Sequence, residues 1–330
     1  MTLQRSPFSK YLTAVFALFA ISSVASVFAQ EQWIKLSPTG TLPPGMASHS
    51  VVYDTANNRM IVFGSVGAAS GVPNRVWVLT NANGLGGTPE WTELMPTGGP
   101  PAPRAQQMAV YDQANNRLIV YGGYTTGYAG LSDLWVLTNA NGLDGTPQWI
   151  SLSYSGGPPS KRIQSIPTYD AANNRMMIFG GCKNPSVPCF MLNDVWVLSN
   201  ANGVGGTPQF TQLYPAGGSP APRGAYGIGY DGVSNRLMVF GGGGNYPVNH
   251  LNDTWVLTNA NGLGGAPSWI QLSTATIPPG PYGMSSAYDS TTNELFVVGG
   301  VTAAGGGDKR CLEAGQRQRI GHPGMGATVS

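Results

Sequence analysis

The chain has 330 residues, of which 42% are hydrophobic and 10% are charged, against a charged share of about 25% in an average protein. Its 47 Gly and 26 Pro residues exclude a coiled coil, and its hydrophobic content excludes a charge-rich disordered chain. With 17 Lys or Arg against 15 Asp or Glu, the chain lacks the basic excess that nucleic-acid binding needs, so an all-β protein with many turns remains.

The first 29 residues have the pattern of a signal peptide. Arg5 and Lys10 precede an uncharged apolar stretch over residues 11–27. Ala29 closes a small-x-small cleavage motif, so we predict cleavage after it and a secreted or periplasmic protein. The alternative is an uncleaved membrane anchor, which the Ser and Thr residues of the stretch disfavour. After cleavage we expect no membrane association.

Self-similarity dominates the rest of the sequence. A Tyr-Asp pair recurs every 58 to 61 residues, with its tyrosine at Tyr53, Tyr111, Tyr169, Tyr230 and Tyr288. A Trp-Val-Leu triplet recurs with the tryptophans Trp77, Trp135, Trp196 and Trp255. A fixed period of this length predicts one repeat domain, which we place at residues 30–300.

Each unit has four segments with the composition of short strands. In the second unit they lie at residues 107–111, 117–121, 134–138 and 149–152, and they are rich in Val, Ile, Tyr and Trp. Gly122 and Gly123 end the second segment, where a positive φ is needed or a side chain has no room. No segment has sustained helical periodicity, so the sequence predicts four-stranded β-units.

The second unit resembles a kelch repeat. Its order is Ile119-Val120-Tyr121-Gly122-Gly123, then Asp133-Leu134-Trp135, then the distal Trp149. The resemblance covers about residues 33–300 and includes the central domain of galactose oxidase. It implies a kelch-type β-propeller of four-stranded antiparallel blades, with four complete units and a partial fifth.

The two ends of the repeat region do not match. Trp33 to Leu36 has the pattern of a fourth strand without its first three, and such a strand usually completes the last blade of a propeller and closes or partly closes the ring. No third strand of the expected type follows Gly300. Residues 301–330 are therefore predicted to be a divergent or disordered tail, and a loss of the reading frame after Val301 is favoured over a natural divergent end.

Most charged residues recur at the same position in several units, which predicts a structural role for them. The loops between the second and third strands differ between units, and such loops commonly carry recognition residues. With the adjoining basic segments, they supply our predicted ligand-binding residues: Arg104, Lys161, Arg162, Arg223, Tyr124, Tyr128, Tyr246 and His250. The alternative is that the arginines donate hydrogen bonds to carbonyl groups of neighbouring blades.

Cys182 and Cys189 lie in one of these loops. In an oxidising compartment the pair predicts a disulfide, and a metal site is the alternative. The resemblance also includes copper-radical oxidases, whose copper needs two His and two Tyr ligands. Outside the tail the only histidines are His49 and His250, so we expect no catalytic residue, metal or cofactor.

The sequence favours a binding or interaction module for a protein, peptide or carbohydrate over an enzyme. The alternatives are a carbohydrate-active enzyme of the sugar oxidase or epimerase type and a non-functional truncated copy. The sequence makes no prediction of the oligomeric state.

Overall fold

The structure is a computed structural model, and it describes residues 34–65, 74–125, 127–183, 189–245, 250–273, 282–301 and 318–320. The predicted signal peptide and Tyr246 lie outside these residues. All regular elements in this part of the chain are β-strands, which confirms the predicted all-β class. These described residues contain no helix that is long and apolar enough to cross a membrane.

The described strands form five sheets, which we call blades 1 to 5. Blade 1 contains β1 Thr39–Gly40, β2 Ser50–Asp54, β3 Arg59–Phe63, β4 Val76–Thr80 and β5 Glu90–Leu94. Blade 2 contains β6 Met108–Asp112, β7 Arg117–Tyr121, β8 Leu134–Thr138 and β9 Gln148–Leu152. Blade 3 contains β10 Arg162–Ile163, β11 Thr168–Asp170, β12 Arg175–Lys183, β13 Phe190–Ser199 and β14 Gln209–Leu213. Blade 4 contains β15 Gly227–Asp231, β16 Arg236–Gly243, β17 His250–Thr258 and β18 Ser268–Leu272, and blade 5 contains β19 Ser285–Asp289, β20 Glu294–Val298 and β21 Gln318–Ile320.

The Tyr-Asp turn fixes the register of the first hairpin in each blade. In blade 2 the carboxylate of Asp112 accepts hydrogen bonds from the backbone N–H and the side-chain amide of Asn115, at 3.4 and 2.7 Å. Asn116 has a φ of 49°, in the left-handed region that Asn tolerates. Asp112 then pairs with Arg117 across the hairpin, so the turn sequence determines which residues of β6 and β7 face each other.

The first strands of successive blades are neighbours, as expected for strands that line the axis of a propeller. β2 contacts β6, β6 contacts β11, β11 contacts β15, and β15 contacts β19. Apolar cores lie between adjacent blades, and the core between blades 2 and 3 includes the buried side chains of Tyr121, Ile178 and Phe210. Four complete blades and a partial fifth agree with the predicted kelch-type propeller.

The second and third strands of blades 3 and 4 are longer than the sequence predicted. Irregularities at Gly180 and Gly241 are followed by further pairs, Cys182 with Met191 and Gly243 with His250. A bulge accommodates an extra residue without ending the ladder. The diglycine therefore does not end the second strand in blades 3 and 4, as Gly122 and Gly123 were predicted to do in the second unit; the chain first extends as a hairpin.

A polar contact joins each of blades 1 to 3 to the blade after it. The side-chain amide of a buried Asn, in the connection between the third and fourth strands, donates to the turn Asp of the preceding blade. These bonds are Asn141 to Asp54 at 2.8 Å, Asn202 to Asp112 at 2.5 Å and Asn261 to Asp170 at 2.6 Å. The carbonyl of the same Asn accepts a hydrogen bond from Arg59, Arg117 or Arg175, respectively.

At the outer edge, the segment after a fourth strand forms a parallel bridge to the fourth strand of the next blade. These bridges are Thr97 with Gln148, Ser155 with Gln209 and Ala216 with Ser268. β1 pairs with β5 in the same way, so residues 39–40 occupy the place that follows a fourth strand.

The predicted ends of the repeat region are described only in part. Of the separate unit Met1–Leu36, residues 34–36 are described, and they lie in no strand. Closure of the ring by residues 33–36 therefore stays a prediction. In the tail, β21 lies antiparallel to β20, where a third strand was expected. Loss of the reading frame likewise stays a prediction.

Candidate functional site

Three of the predicted ligand-binding residues form the same buried clamp in blades 2, 3 and 4. In blade 3, Arg162 donates to both carboxylate oxygens of Asp194, at 2.6 and 2.8 Å, and to the carbonyl of Gly180 at 2.9 Å. Its Nε donates to the carbonyl of Ser160 at 3.0 Å. The other clamps join Arg104 to Asp133 and Gly122, and Arg223 to Asp253 and Gly241.

The clamp keeps its carboxylate ionised. Burial raises the pKa of Asp194, but the hydrogen bond and the positive charge of Arg162 outweigh burial and hold the pKa below its ordinary value. The indole Nε1 of Trp196 donates to the same carboxylate at 2.7 Å. The clamp therefore ties β10 to the diglycine and to the middle of β13.

The clamp gives Arg104, Arg162 and Arg223 a framework role. Their side chains are 0% exposed, and a guanidinium whose N–H groups already have partners is not available to a ligand. The ligand-binding role predicted for them stays untested, and their burial disfavours it. The predicted alternative was that these arginines donate hydrogen bonds to carbonyl groups of neighbouring blades. The arginines do donate to carbonyl groups, but these carbonyls belong to the same blade.

Among the described residues, blade 1 has no such clamp. Met46 stands where the other blades have the arginine, and Arg75 stands where they have the aspartate. Arg75 instead pairs with Glu93 at 3.3 Å on the surface. The buried Nε1 of Trp77 has no hydrogen-bond partner in the described part of the chain. The loop end of blade 1 is therefore built differently from that of blades 2 to 4.

Side chains from blades 2 and 3 pack together beside the clamps. Tyr124, Ile163 and Cys182 are buried against one another, and Met191 packs on them; we call these four residues the loop-face cluster. Tyr128 stacks on Tyr124 with a ring-centroid distance of 5.5 Å and an angle of 5° between the ring planes. The structure thus brings together two aromatic residues that the sequence predicted as ligand-binding.

Two large aromatic side chains project from this face. Tyr128 is 65% exposed and Phe190 is 63% exposed. Phe190 pairs across its hairpin with Lys183, which is also exposed. The exposed Lys161 lies beside Gly130, in the loop that carries Tyr128. The face therefore combines exposed aromatic rings with nearby positive charges.

The remaining predicted residues lie in or next to the extended hairpins. Cys182 and Cys189 form the predicted disulfide, with their Cα atoms 5.6 Å apart. His250 begins the third strand of blade 4, and its buried Nδ1 has no partner among the described residues. Asn245 of blade 4 accepts a hydrogen bond from the backbone N–H of Met191 at 2.9 Å, which links the loops of blades 3 and 4.

Sequence reasoning missed a set of left-handed residues that precede the first strands. They are Ser48, Gln106, Gln164, Ala225 and Gly283, with φ values of 57°, 49°, 58°, 51° and 73°. Their backbones join neighbouring blades, since Gln106 donates to Ser48, Ala225 to Gln164 and Gly283 to Ala225. Each lies two residues after the clamp arginine or its equivalent. This fixed offset from the clamp arginine could have identified these positions in the sequence. It was missed because the residue type at the position changes from blade to blade.

The described residues also bear on metal chemistry. They contain no group of three or more His, Cys, Asp or Glu side chains arranged to hold a metal ion.

Comparison with protein families gives a match over most of the chain. The model of the KLHDC2/KLHL20/DRC7 Kelch-repeats domain matches residues 67–300. This range includes the third and fourth strands of blade 1, all of blades 2 to 4 and the first two strands of blade 5.

Three curated proteins are similar to parts of the chain. Dynein regulatory complex subunit 7 of Chlamydomonas reinhardtii is 37% identical over 92 residues, which cover 28% of this chain and 7% of that protein. Tip elongation aberrant protein 1 of Schizosaccharomyces pombe is 26% identical over 68% of this chain and 18% of its own length. Host cell factor 2 of Homo sapiens is 25% identical over 65% of this chain and 26% of its own length. The matched region spans about a quarter or less of each relative.

A solved structure agrees with the fold. The structure of YjhT matches with a TM-score of 0.59 and 16% sequence identity, over 86% of this chain and 84% of that chain. At this identity the likeness shows the propeller fold alone.

Proposed function

Since this chain belongs to the family of the KLHDC2/KLHL20/DRC7 Kelch-repeats domain, we propose that it is a binding module for a protein or peptide partner. The binding surface is the face formed by the connections between the second and third strands of blades 2 and 3. The name of the Chlamydomonas relative describes a subunit of a complex, which supports a protein as the partner.

The observation that carries the proposal is the pair of exposed rings on this face. Tyr128 and Phe190 are each more than half exposed, whereas the aromatic residues of the repeat framework are mostly buried. Aromatic side chains on a well-packed base are the commonest anchors of protein interfaces. The loop-face cluster supplies that base, because Tyr128 stacks on the buried ring of Tyr124.

Charge defines the partner further. Lys161 and Lys183 are exposed beside the two rings, and the arginines of this face are already paired with aspartates. A partner segment with an apolar side chain and an acidic group fits this arrangement, because neither lysine has an ion-pair partner among the described residues.

The compartment is part of the same proposal. The protein acts in a secreted or periplasmic location, where the disulfide of Cys182 and Cys189 persists. The disulfide lies beside Phe190 at the loop end of the β12–β13 hairpin, so oxidising conditions stabilise one half of the binding face.

A carbohydrate is the second candidate ligand. The rings of Tyr124 and Tyr128 are nearly parallel, and Tyr128 leaves most of its side chain exposed. A flat exposed ring beside hydrogen-bonding groups suits a sugar as well as a peptide.

The test is a selection from a displayed peptide library followed by affinity measurement. We expect the Tyr128→Ser, Phe190→Ser double variant to bind a selected peptide at least about tenfold more weakly, the loss typical of an interface anchor. Fluorescence anisotropy measures the dissociation constant, and near-ultraviolet circular dichroism checks the fold. The control is Val233→Ser, a 96% exposed residue in the Tyr-Asp turn of blade 4.

The outcomes separate the candidates. Equal peptide affinity in the double variant and the parent chain would show that this face is not the binding surface. Binding to a glycan array without any selected peptide would favour the carbohydrate. Turnover of a sugar by the purified chain would overturn the proposal in favour of the enzyme alternative.

A further inference from the structure

Four asparagines of the chain are followed by glycine, and all four lie at the same place, in the connection between the third and fourth strands of a blade. They are Asn83, Asn141, Asn202 and Asn261. An asparagine before glycine is prone to deamidation, because glycine has no side chain to hinder its own backbone nitrogen when that nitrogen attacks the asparagine side chain. The four positions therefore share one possible reaction, and their surroundings decide which of them reacts.

The four turns are built alike. In each turn the glycine N–H donates to the carbonyl of the asparagine three residues before it, at 2.9 or 3.0 Å. The Oδ1 of the asparagine that precedes the glycine accepts two hydrogen bonds within its own blade. In blade 1 the donors are the backbone N–H of Leu85 and the Nδ2 of Asn58, at 2.8 and 2.6 Å from Asn83. Local geometry therefore does not distinguish the four.

Contacts with the preceding blade do distinguish them. Asn141, Asn202 and Asn261 are each 3% exposed, and the Nδ2 of each donates to a turn aspartate of the preceding blade. An arginine of that blade donates to the carbonyl of the same asparagine, and a leucine of that blade packs beside the following glycine. Asn83 instead has an exposed side chain.

We propose that Asn83 deamidates spontaneously in the folded chain, with water as the co-reactant. The turn opens, and the backbone nitrogen of Gly84 forms a bond to Cγ of Asn83. The Cγ–Nδ2 bond breaks, and Nδ2 leaves as ammonia with the proton that the Gly84 nitrogen gives up through solvent. Water then adds to one carbonyl of the succinimide ring and opens it, which yields aspartate or isoaspartate.

The departure of Nδ2 explains the selectivity. At Asn202 the Nδ2 must first leave the carboxylate of Asp112, and hydrogen bonds to a charged acceptor are stronger than neutral ones. The backbone must also move away from the preceding blade before the ring can close. At Asn83 the same nitrogen leaves into water, and only bonds within blade 1 have to open.

Blade 1 also accommodates the product. The N–H of Leu85 and the amide of Asn58 both donate to Oδ1 of Asn83, so a carboxylate in that place keeps both donors. At Asn202 the same change would set a carboxylate against Asp112, which is 1% exposed, and like charges repel. Deamidation of Asn83 therefore adds a negative charge to blade 1 without opposing a buried one.

The test is peptide mapping by mass spectrometry after the full chain has been incubated in mildly alkaline buffer. We expect conversion at Asn83 to be at least about tenfold faster than at each buried asparagine, because a lost hydrogen bond to a carboxylate raises the barrier by that much. In guanidinium chloride we expect the four rates to agree. A rate at Asn83 no higher than at the others in the folded chain would overturn the proposal, and so would a difference that persists after unfolding.

A variant tests the cause directly. Asp112→Asn removes the carboxylate that holds Nδ2 of Asn202 but keeps an acceptor for its own turn. We expect deamidation of Asn202 to become about tenfold faster while the two other buried asparagines stay slow. The control is Asp231→Asn, whose carboxylate accepts from its own turn, and it should leave all four rates unchanged. An unchanged rate at Asn202 in Asp112→Asn, with the fold checked by near-ultraviolet circular dichroism, would refute the protection by this bond.

Discussion

Arg162 shows how one buried side chain organises the loop end of a blade. Its guanidinium contacts Asp194, the carbonyl of Gly180 and the segment at Ser160, which are far apart in sequence. A charged group loses hydration when it is buried, so the pair is favourable only while both partners are present. The clamp therefore holds three segments in one arrangement and makes the adjoining hairpin a stable base for exposed residues.

We expect Arg162→Met to lower the free energy of unfolding by about 3 kcal/mol, because it leaves the Asp194 carboxylate partly buried without its cation. Urea denaturation followed by tryptophan fluorescence measures this change. Methionine keeps most of the side-chain volume, so the effect reports the lost pair more than a cavity.

The matched control is Arg75→Met in blade 1. Arg75 and Glu93 form a surface pair, with the arginine side chain 47% exposed. An exposed pair contributes at most about 1 kcal/mol. If the two variants were equally destabilised, the clamp would not be the source of stability that its burial indicates.

At the scale of elements, the parallel bridges between fourth strands at the outer edge depend on a glycine that follows each fourth strand. Gly98 has a φ of 72°, and a Cβ there would lie 2.6 Å from the carbonyl oxygen of Trp149 in the next blade. The same Trp149 donates its backbone N–H to Thr97 at 2.9 Å. Close approach of two backbones and a positive φ both require glycine at this point.

Gly98→Ala should therefore cost about 2 kcal/mol of stability, from left-handed strain and displacement of the Trp149 backbone. Chemical denaturation of the variant gives the value. Its neighbour supplies the control, because a Cβ added at Gly99 would meet no described heavy atom within 4 Å. A loss in Gly99→Ala as large as that in Gly98→Ala would refute the role of the bridge.

The elements also show what sequence could predict. β7 and β8 have the predicted bounds, because turn residues and diglycine mark their ends on a fixed period. The extension of β12 to Lys183 was not predicted. It depends on a bulge at Gly180, and a glycine in the sequence is compatible with a bulge but equally with the end of a strand. In the candidate site, the sequence predicted the disulfide correctly, whereas the ligand-binding role predicted for Tyr128 stays a prediction. The sequence did not identify the Arg162–Asp194 pair, whose members are 32 residues apart and meet only through the path of the folded chain.

At the scale of the whole molecule, the propeller is a row of similar blades joined by similar contacts. In such a repeat architecture, the free energy of unfolding is approximately the sum of a contribution from each blade and a contribution from each contact between neighbouring blades. The Asn–Asp hydrogen bonds from blade to blade are one polar part of the contribution between neighbouring blades. Comparing Asn202 with Asn83 isolates that part, because both make equivalent bonds inside their own blades.

We expect Asn202→Ala to destabilise the chain by about 2 kcal/mol more than Asn83→Ala does, because only the first leaves a buried aspartate without its neighbour's amide. Thermal and urea unfolding of the two variants measure the difference. Asp112 is 1% exposed, so water cannot fully replace the lost donor. Equal costs would mean that the Asn202–Asp112 bond adds nothing to stability beyond the bonds that both asparagines make inside their own blades.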